Sequence, residues 1–82
     1  MLIEYIEEAM KNASYEMIED EEPFYGEIPL LPGVWATGKN LEACRTNLKE
    51  TVEGWILLSI RKGFDVPEIH GFQVKAPEEI PA

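Results

Sequence analysis

The sequence predicts an α+β domain: a three-stranded antiparallel meander plus a fourth strand after a long helix, packed on helices in the order α-β-β-β-α-β. Three observations predict it. Apolar residues recur every three or four positions over residues 2–12 and again over 41–62, which is the helical period. Between those segments lie three short runs rich in strand formers, separated by an acidic turn and by a Pro/Gly turn. The stretch 24–40 reads without interruption as strand, rigid turn, strand and helix start, and it carries no nucleophile, metal cluster or phosphate cradle.

Residues 2–12 place Leu2, Ile6, Ala9 and Ala13 on one stripe with Met10 adjoining it, while Glu4, Glu7, Glu8 and Lys11 lie elsewhere, so this is a short amphipathic helix. Residues 15–18 alternate and favour a strand, after which the acidic run Glu19, Asp20, Glu21, Glu22 with Pro23 makes a turn. Residues 24–28 return antiparallel as the second strand. Pro29 and Pro32 each remove an amide donor and fix a backbone angle, and Gly33 supplies the freedom that a tight reversal needs. Residues 34–37 form the third strand. Gly38 and Lys39 then lead to Asn40, an N-cap whose side chain can accept an orphan backbone N–H.

The second helix, residues 41–62, carries Leu41, Cys44, Leu48, Val52, Trp55 and Ser59 at steps of three or four, with Ile56 and Ile60 widening the stripe. Burying each large side chain contributes roughly 1.5 to 3 kcal/mol before entropy is deducted, so this face anchors the sheet. Arg61 and Lys62 suit the negative end of the helix dipole, Gly63 is a natural C-cap, and Pro67 prevents continuation. Leu57 and Leu58 lie partly off the stripe, which leaves two readings: self-association, or cover by the tail. Residues 71–75 read as the last strand, with Phe72 and Val74 on one face, and residues 76–82, with two prolines, read as a loose tail. The chain is thus a single domain with residues 1–13 as an N-terminal helix, 14–75 as the core and 76–82 as the tail. Two packed layers cover these faces economically, and a strand returning after a long helix normally makes a right-handed crossover.

A chain of 82 residues hides only about 60% of the surface its unfolded form exposes, so its stability margin is thin. Apolar residues at 45% and eight aromatics favour a folded core over disorder. The net charge of −9 disfavours nucleic acid, whose phosphates call for Lys and Arg, and leaves two readings: attraction of a basic protein partner, or acidity that simply keeps a small protein in solution. The single cysteine, Cys44, excludes an internal disulfide, and with His70 it cannot complete a metal site, so no cofactor is implied and a reducing cytoplasm is expected. No apolar run approaches the roughly 20 residues of a membrane span, and no basic region precedes an apolar block at the start.

The run Tyr25-Gly26-Glu27-Ile28-Pro29-Leu30-Leu31-Pro32-Gly33-Val34-Trp35-Ala36-Thr37-Gly38, followed by Asn40-Leu41-Glu42-Ala43-Cys44 and the Trp-bearing helix to Gly63, resembles the HicB family of antitoxins. The resemblance covers roughly residues 15 to 75, and the combination of Ile-Pro, Leu-Pro-Gly, Ala-x-Gly and a Leu-Glu-Ala helix start is far more specific than any one piece. It implies a partial ribonuclease H-like fold. It also implies a role, the binding and silencing of a small basic RNA-cleaving toxin of the HicA type, which has a double-stranded-RNA-binding-like fold. Longer HicB-like proteins add a C-terminal ribbon-helix-helix or helix-turn-helix that binds operator DNA. The sequence has none before Ala82, so DNA binding by this chain is not expected. The helix over residues 2–12 is outside the common core and resembles a short subgroup.

The function expected is therefore a non-catalytic, antitoxin-like binding domain, with a self-associating structural or regulatory module without a toxin as the alternative and a homo-oligomer expected in either case. The residues expected to meet a partner are Glu19, Asp20, Glu21, Glu22, Tyr25, Glu27 and Trp35. Those expected to hold the architecture are Pro29, Pro32, Gly33, Gly38 and Asn40. Trp35 alternates with Val34 and Ala36, which leaves two places for it: the outer sheet face beside Tyr25, or under the N-terminal helix. The acidic run is either a solvated hairpin or a steering patch for a basic surface. A metal-dependent nuclease would need carboxylates converging from strands and helix. Glu16, Glu27, Glu42, Glu50 and Glu53 are available, but residues 71–75 contain none. Cys44 sits within the buried stripe and reads as a small core residue, Trp55 reads as core, and His70 as a turn residue.

Overall fold

The computed structural model describes residues 2–69 and 71. Along them run α1 (Leu2–Lys11), β1 (Ser14–Met17), β2 (Phe24–Glu27), β3 (Trp35–Gly38) and α2 (Leu41–Lys62). The architecture is α+β, with three antiparallel strands in the order β1-β2-β3 and two helices. The helix α2 begins and ends where its apolar period and caps predict, whereas the strands shift by about one residue. The backbone at the turn mouths explains the shift. Ile18 donates its N–H to Pro23 at 2.7 Å and Ile28 donates to Val34 at 3.2 Å, so these residues close the hairpins instead of extending the ladder. The fourth strand expected over residues 71–75 lies outside the described residues except for Gly71, which sits in a turn at φ 85°. His70 and the tail over 76–82 also lie outside them.

Cross-strand register sorts the sheet into two faces. The rows Tyr15–Gly26–Ala36 and Met17–Phe24–Gly38 point one way, and the rows Ser14–Glu27–Trp35 and Glu16–Tyr25–Thr37 the other. The first face receives α2, and α1 lies along α2 in the same layer. Small side chains let the layers meet. A Cβ on Gly38 would stand 2.3 Å from the Cys44 amide nitrogen, and one on Gly26 would stand 2.8 Å from the Tyr15 ring. Cys44, fully buried, fits against Ala36, its thiol 3.6 Å from the Ala36 carbonyl oxygen. The Ala-x-Gly pattern of β3 is thus the imprint of the first turns of α2.

The helix starts as predicted, with the Asn40 side chain accepting the Ala43 N–H at 2.7 Å. Asn47 ties the next turn to the strand by donating its amide to the Thr37 carbonyl at 2.9 Å. At the other end Gly63 adopts φ 72°, its N–H bonds Ile60 and the Phe64 N–H bonds Ser59, which closes the last turn. The buried stripe is Cys44, Leu48, Val52, Ile56 and Ser59, with Trp55 and Ile60 packed partly against it. Leu41 departs from the expected stripe and is half exposed, because it occupies the first helical position, ahead of the point where α2 meets Gly38.

The β2–β3 connection consists of two successive tight turns. Leu31 donates to Ile28 at 2.9 Å and Val34 donates to Leu31 at 3.0 Å, so Pro29 and Pro32 each occupy the second position of a turn. Gly33, at φ 88°, fills the third position of the second turn, the place where a type II turn requires a positive angle. The turns bring Ile28, Leu31 and Val34 into the core although all three lie outside the strands. α1 contributes Tyr5, Ile6 and Ala9 to that core. Tyr5 is fully buried and its hydroxyl donates to the Pro67 carbonyl at 2.5 Å, which fastens α1 to the segment that follows α2. Among the described residues no helix is long and apolar enough to cross a membrane.

Candidate protein-binding face

With α2 covering one side of the sheet, the other side presents Ser14, Glu16, Tyr25, Glu27, Trp35 and Thr37. Tyr25 and Trp35 sit diagonally across β2 and β3. Their rings stack with centroids 5.9 Å apart and planes 24° apart, and Trp35 is 54% exposed. The place of Trp35 is therefore the outer sheet face, beside Tyr25 and not beneath α1. Aromatic pairs of this kind are rigid and contribute about 0.5 to 1.5 kcal/mol beyond the area they bury.

Carboxylates frame the pair. Glu27 is the cross-strand neighbour of Trp35, and Glu16 that of Tyr25. Partial burial, then the Glu27 and Glu16 charges, push the Tyr25 phenol above its ordinary range. Glu22 reaches the same edge by accepting a 2.6 Å hydrogen bond from the Thr37 hydroxyl. An aromatic platform between carboxylates is chemically suited to cationic side chains, which can lie over the rings while pairing with the acids.

The structure thus brings Tyr25, Glu27 and Trp35 onto one face and ties Glu22 to its rim. Glu19, Asp20 and Glu21 stay in the exposed turn, where Asp20 accepts the Glu22 N–H at 3.3 Å and shapes the bend. Pro29, Pro32, Gly33, Gly38 and Asn40 hold the architecture described above. The face also contains Glu16 and Thr37, absent from the expected partner-contacting set. The signal for Glu16 was present in the hairpin itself: folding the chain about the acidic turn sets position 16 opposite position 25.

Carboxylates that could serve a metal are split between two surfaces. Glu16 and Glu27 lie on the outer sheet face, while Glu42, Glu50 and Glu53 are on α2, behind the opposite face. Among the described residues no three His, Cys, Asp or Glu are grouped to hold a metal ion. Burial, reinforced by Glu22, pushes the Cys44 thiol up, which disfavours the thiolate that a nucleophile requires. Between α1 and α2 a shallow groove of about 220 Å³ is lined by Ile6, Glu7, Met10, Lys11, Arg45 and Lys49. Lys11 at its margin already pairs with Glu8 at 3.6 Å.

A family model described as UPF0150-like matches residues 4–67 of this chain. Among solved structures the chain is similar to the crystal structure of TTHA0281 from Thermus thermophilus, at 49% sequence identity, over 94% of this chain and 95% of that one, with a TM-score of 0.88. No curated protein matches it.

Proposed function

The chain belongs to the UPF0150-like family, and on that premise we propose that it is a non-catalytic, antitoxin-like domain that masks a small basic RNA-cleaving toxin of the HicA type. The observation that carries the reading is the exposed Tyr25–Trp35 stack framed by Glu16, Glu27 and Glu22. The HicB-like run from Tyr25 to Gly38 supports it, because that run builds this very face.

Binding would work by substitution. The cationic side chains that a ribonuclease uses to hold phosphates are those that a carboxylate-ringed aromatic platform accepts, so partner and RNA compete for the same groups. A net charge of −9 accelerates the encounter and makes it salt-dependent. The rings supply what charge alone does not: rigid apolar area that excludes water from the ion pairs, the usual anatomy of a binding hot spot. The compartment of this activity is the cytoplasm, where the toxin meets its RNA.

The test is co-expression with any small basic protein encoded beside this chain, followed by pull-down and an RNA-cleavage assay. The expected result is a complex that abolishes cleavage, with Trp35→Ala weakening it about 30-fold, the equivalent of a 2 kcal/mol hot spot. Absence of both complex and inhibition overturns the proposal.

A further inference from the structure

We propose that α2 forms an antiparallel pair with α2 of a second copy of this chain, across the side of the helix that faces away from the sheet. This contact does not depend on the toxin reading, since it uses the opposite surface of the molecule.

The sheet-facing side of α2 is spent on Cys44, Leu48, Val52, Ile56 and Ser59. Round the other side, Glu50, Gly54, Leu57 and Arg61 succeed one another by four, three and four residues, the spacing of a two-helix seam. At its C-terminal end this side is apolar and uncovered among the described residues: Leu57 is 58% exposed, Leu58 52%, and Phe64, just beyond the cap, 63%. Gly54 is the second anomaly. A glycine inside a helix costs about 1 kcal/mol relative to alanine, and nothing among the described residues demands it, since a Cβ there would meet none of their atoms within 4 Å. A neighbouring helix that approaches closely gives it a purpose.

The identity of the neighbour follows from register. In an antiparallel two-fold pair, opposed positions have a constant sum, so setting Leu57 over Gly54 of the second copy fixes every other pair. The same register sets Glu50 opposite Arg61 of the second copy, with no further adjustment. By symmetry both contacts occur twice. The knob, the bare backbone and the two opposite charges are thus self-complementary in one arrangement, which is what a closed two-fold interface requires. A parallel, in-register pair would set Glu50 against Glu50, Arg61 against Arg61 and glycine against glycine, so charge and shape both select the antiparallel form. The resulting dimer keeps both Tyr25–Trp35 faces outward.

The experiment is sedimentation of the full chain over a range of concentrations, with circular dichroism to verify folding of each variant. The expected result is a monomer–dimer equilibrium. Leu57→Asp abolishes it, Glu50→Arg and Arg61→Glu each weaken it about tenfold, and the double reversal Glu50→Arg/Arg61→Glu restores it, because the opposed pair is remade with the signs exchanged. A monomer at every concentration overturns the proposal. So does an oligomer indifferent to Leu57→Asp, or a double reversal no tighter than either single one.

Discussion

Replacing Gly38 by alanine adds one methyl group where strand and helix backbones come closest. Built on the observed backbone, that carbon stands 2.3 Å from the Cys44 nitrogen, 2.6 Å from its Cα and 2.9 Å from the Ala43 carbonyl carbon. Ordinary contact begins near 3.4 Å, so β3 and the first turn of α2 must separate by about 1 Å, and the obstacle is main chain, which no rotamer change can move aside. That displacement acts on three bonds at once: Asn40 to the Ala43 N–H, the Cys44 N–H to the Asn40 carbonyl, and Asn47 to the Thr37 carbonyl. Overpacking costs about 1 to 3 kcal/mol and an impaired N-cap about 1 more, for a loss of about 2 to 4 kcal/mol. A domain of this length has a total stability of about 4 to 12 kcal/mol, so the loss is a large fraction of it, and Tm should fall by about 10 to 25 °C. The internal control is Gly54→Ala, the same chemical change at a helical site with nothing within 4 Å, which should stabilise the monomer by about 0.5 to 1 kcal/mol. Urea midpoints at low protein concentration measure both. Gly38→Ala within about 0.5 kcal/mol of the parent, or both variants shifting in one direction, would refute the argument that backbone proximity selects glycine at position 38.

Three further outcomes follow from particular contacts. Asn40→Ala should cost about 1 kcal/mol in chemical denaturation, while Asn40→Asp, which keeps the accepting oxygen, should cost much less. Burial raises the Tyr5 phenol, so the unfolded chain releases that proton first; the stability it confers is complete below about pH 10 and is lost as pH rises through the folded-state value. Tyr5→Phe should therefore lower stability at neutral pH by about 1 kcal/mol, through loss of the Pro67 bond, and make the alkaline decline shallower; an unchanged slope counts against the assignment. Trp35→Ala should cost no more than about 1.5 kcal/mol of stability, far below the roughly 2 to 5 kcal/mol of a core truncation such as Leu48→Ala, because Trp35 packs on the outer face with Tyr25.

The legible parts of the fold were those in which neighbouring residues supply the physics. Asn40 and Gly63 bracket α2 because an N-cap and a left-handed C-cap are local hydrogen-bond devices, and their residue types announce them. The Pro29 to Gly33 reversal was legible for the same reason. Tyr5 was less so: it precedes Ile6 and lies four before Ala9, yet its phenol finds a partner 62 residues away, a contact that no local pattern encodes. Leu41 shows the opposite failure, since it fits the helical stripe but lies before the point where another layer arrives to cover it. Of the candidate face, Tyr25, Glu27 and Trp35 could be named from alternation within one strand or the next. Glu16 and the Thr37–Glu22 bond depended on how the strands pair.

Sequence by itself determined the α+β class, the extent of α2, the proline-built reversal between β2 and β3 and the acidic character of the chain, because periodicity, caps, turn chemistry and charge are properties of adjacent residues. Tertiary structure alone decided which face of the sheet stays open, and so where Trp35 lies. An alternating strand offers two sides of equal standing, and only the arrival of α2, admitted by the bare Gly26 and Gly38, makes one of them the core and leaves the other exposed.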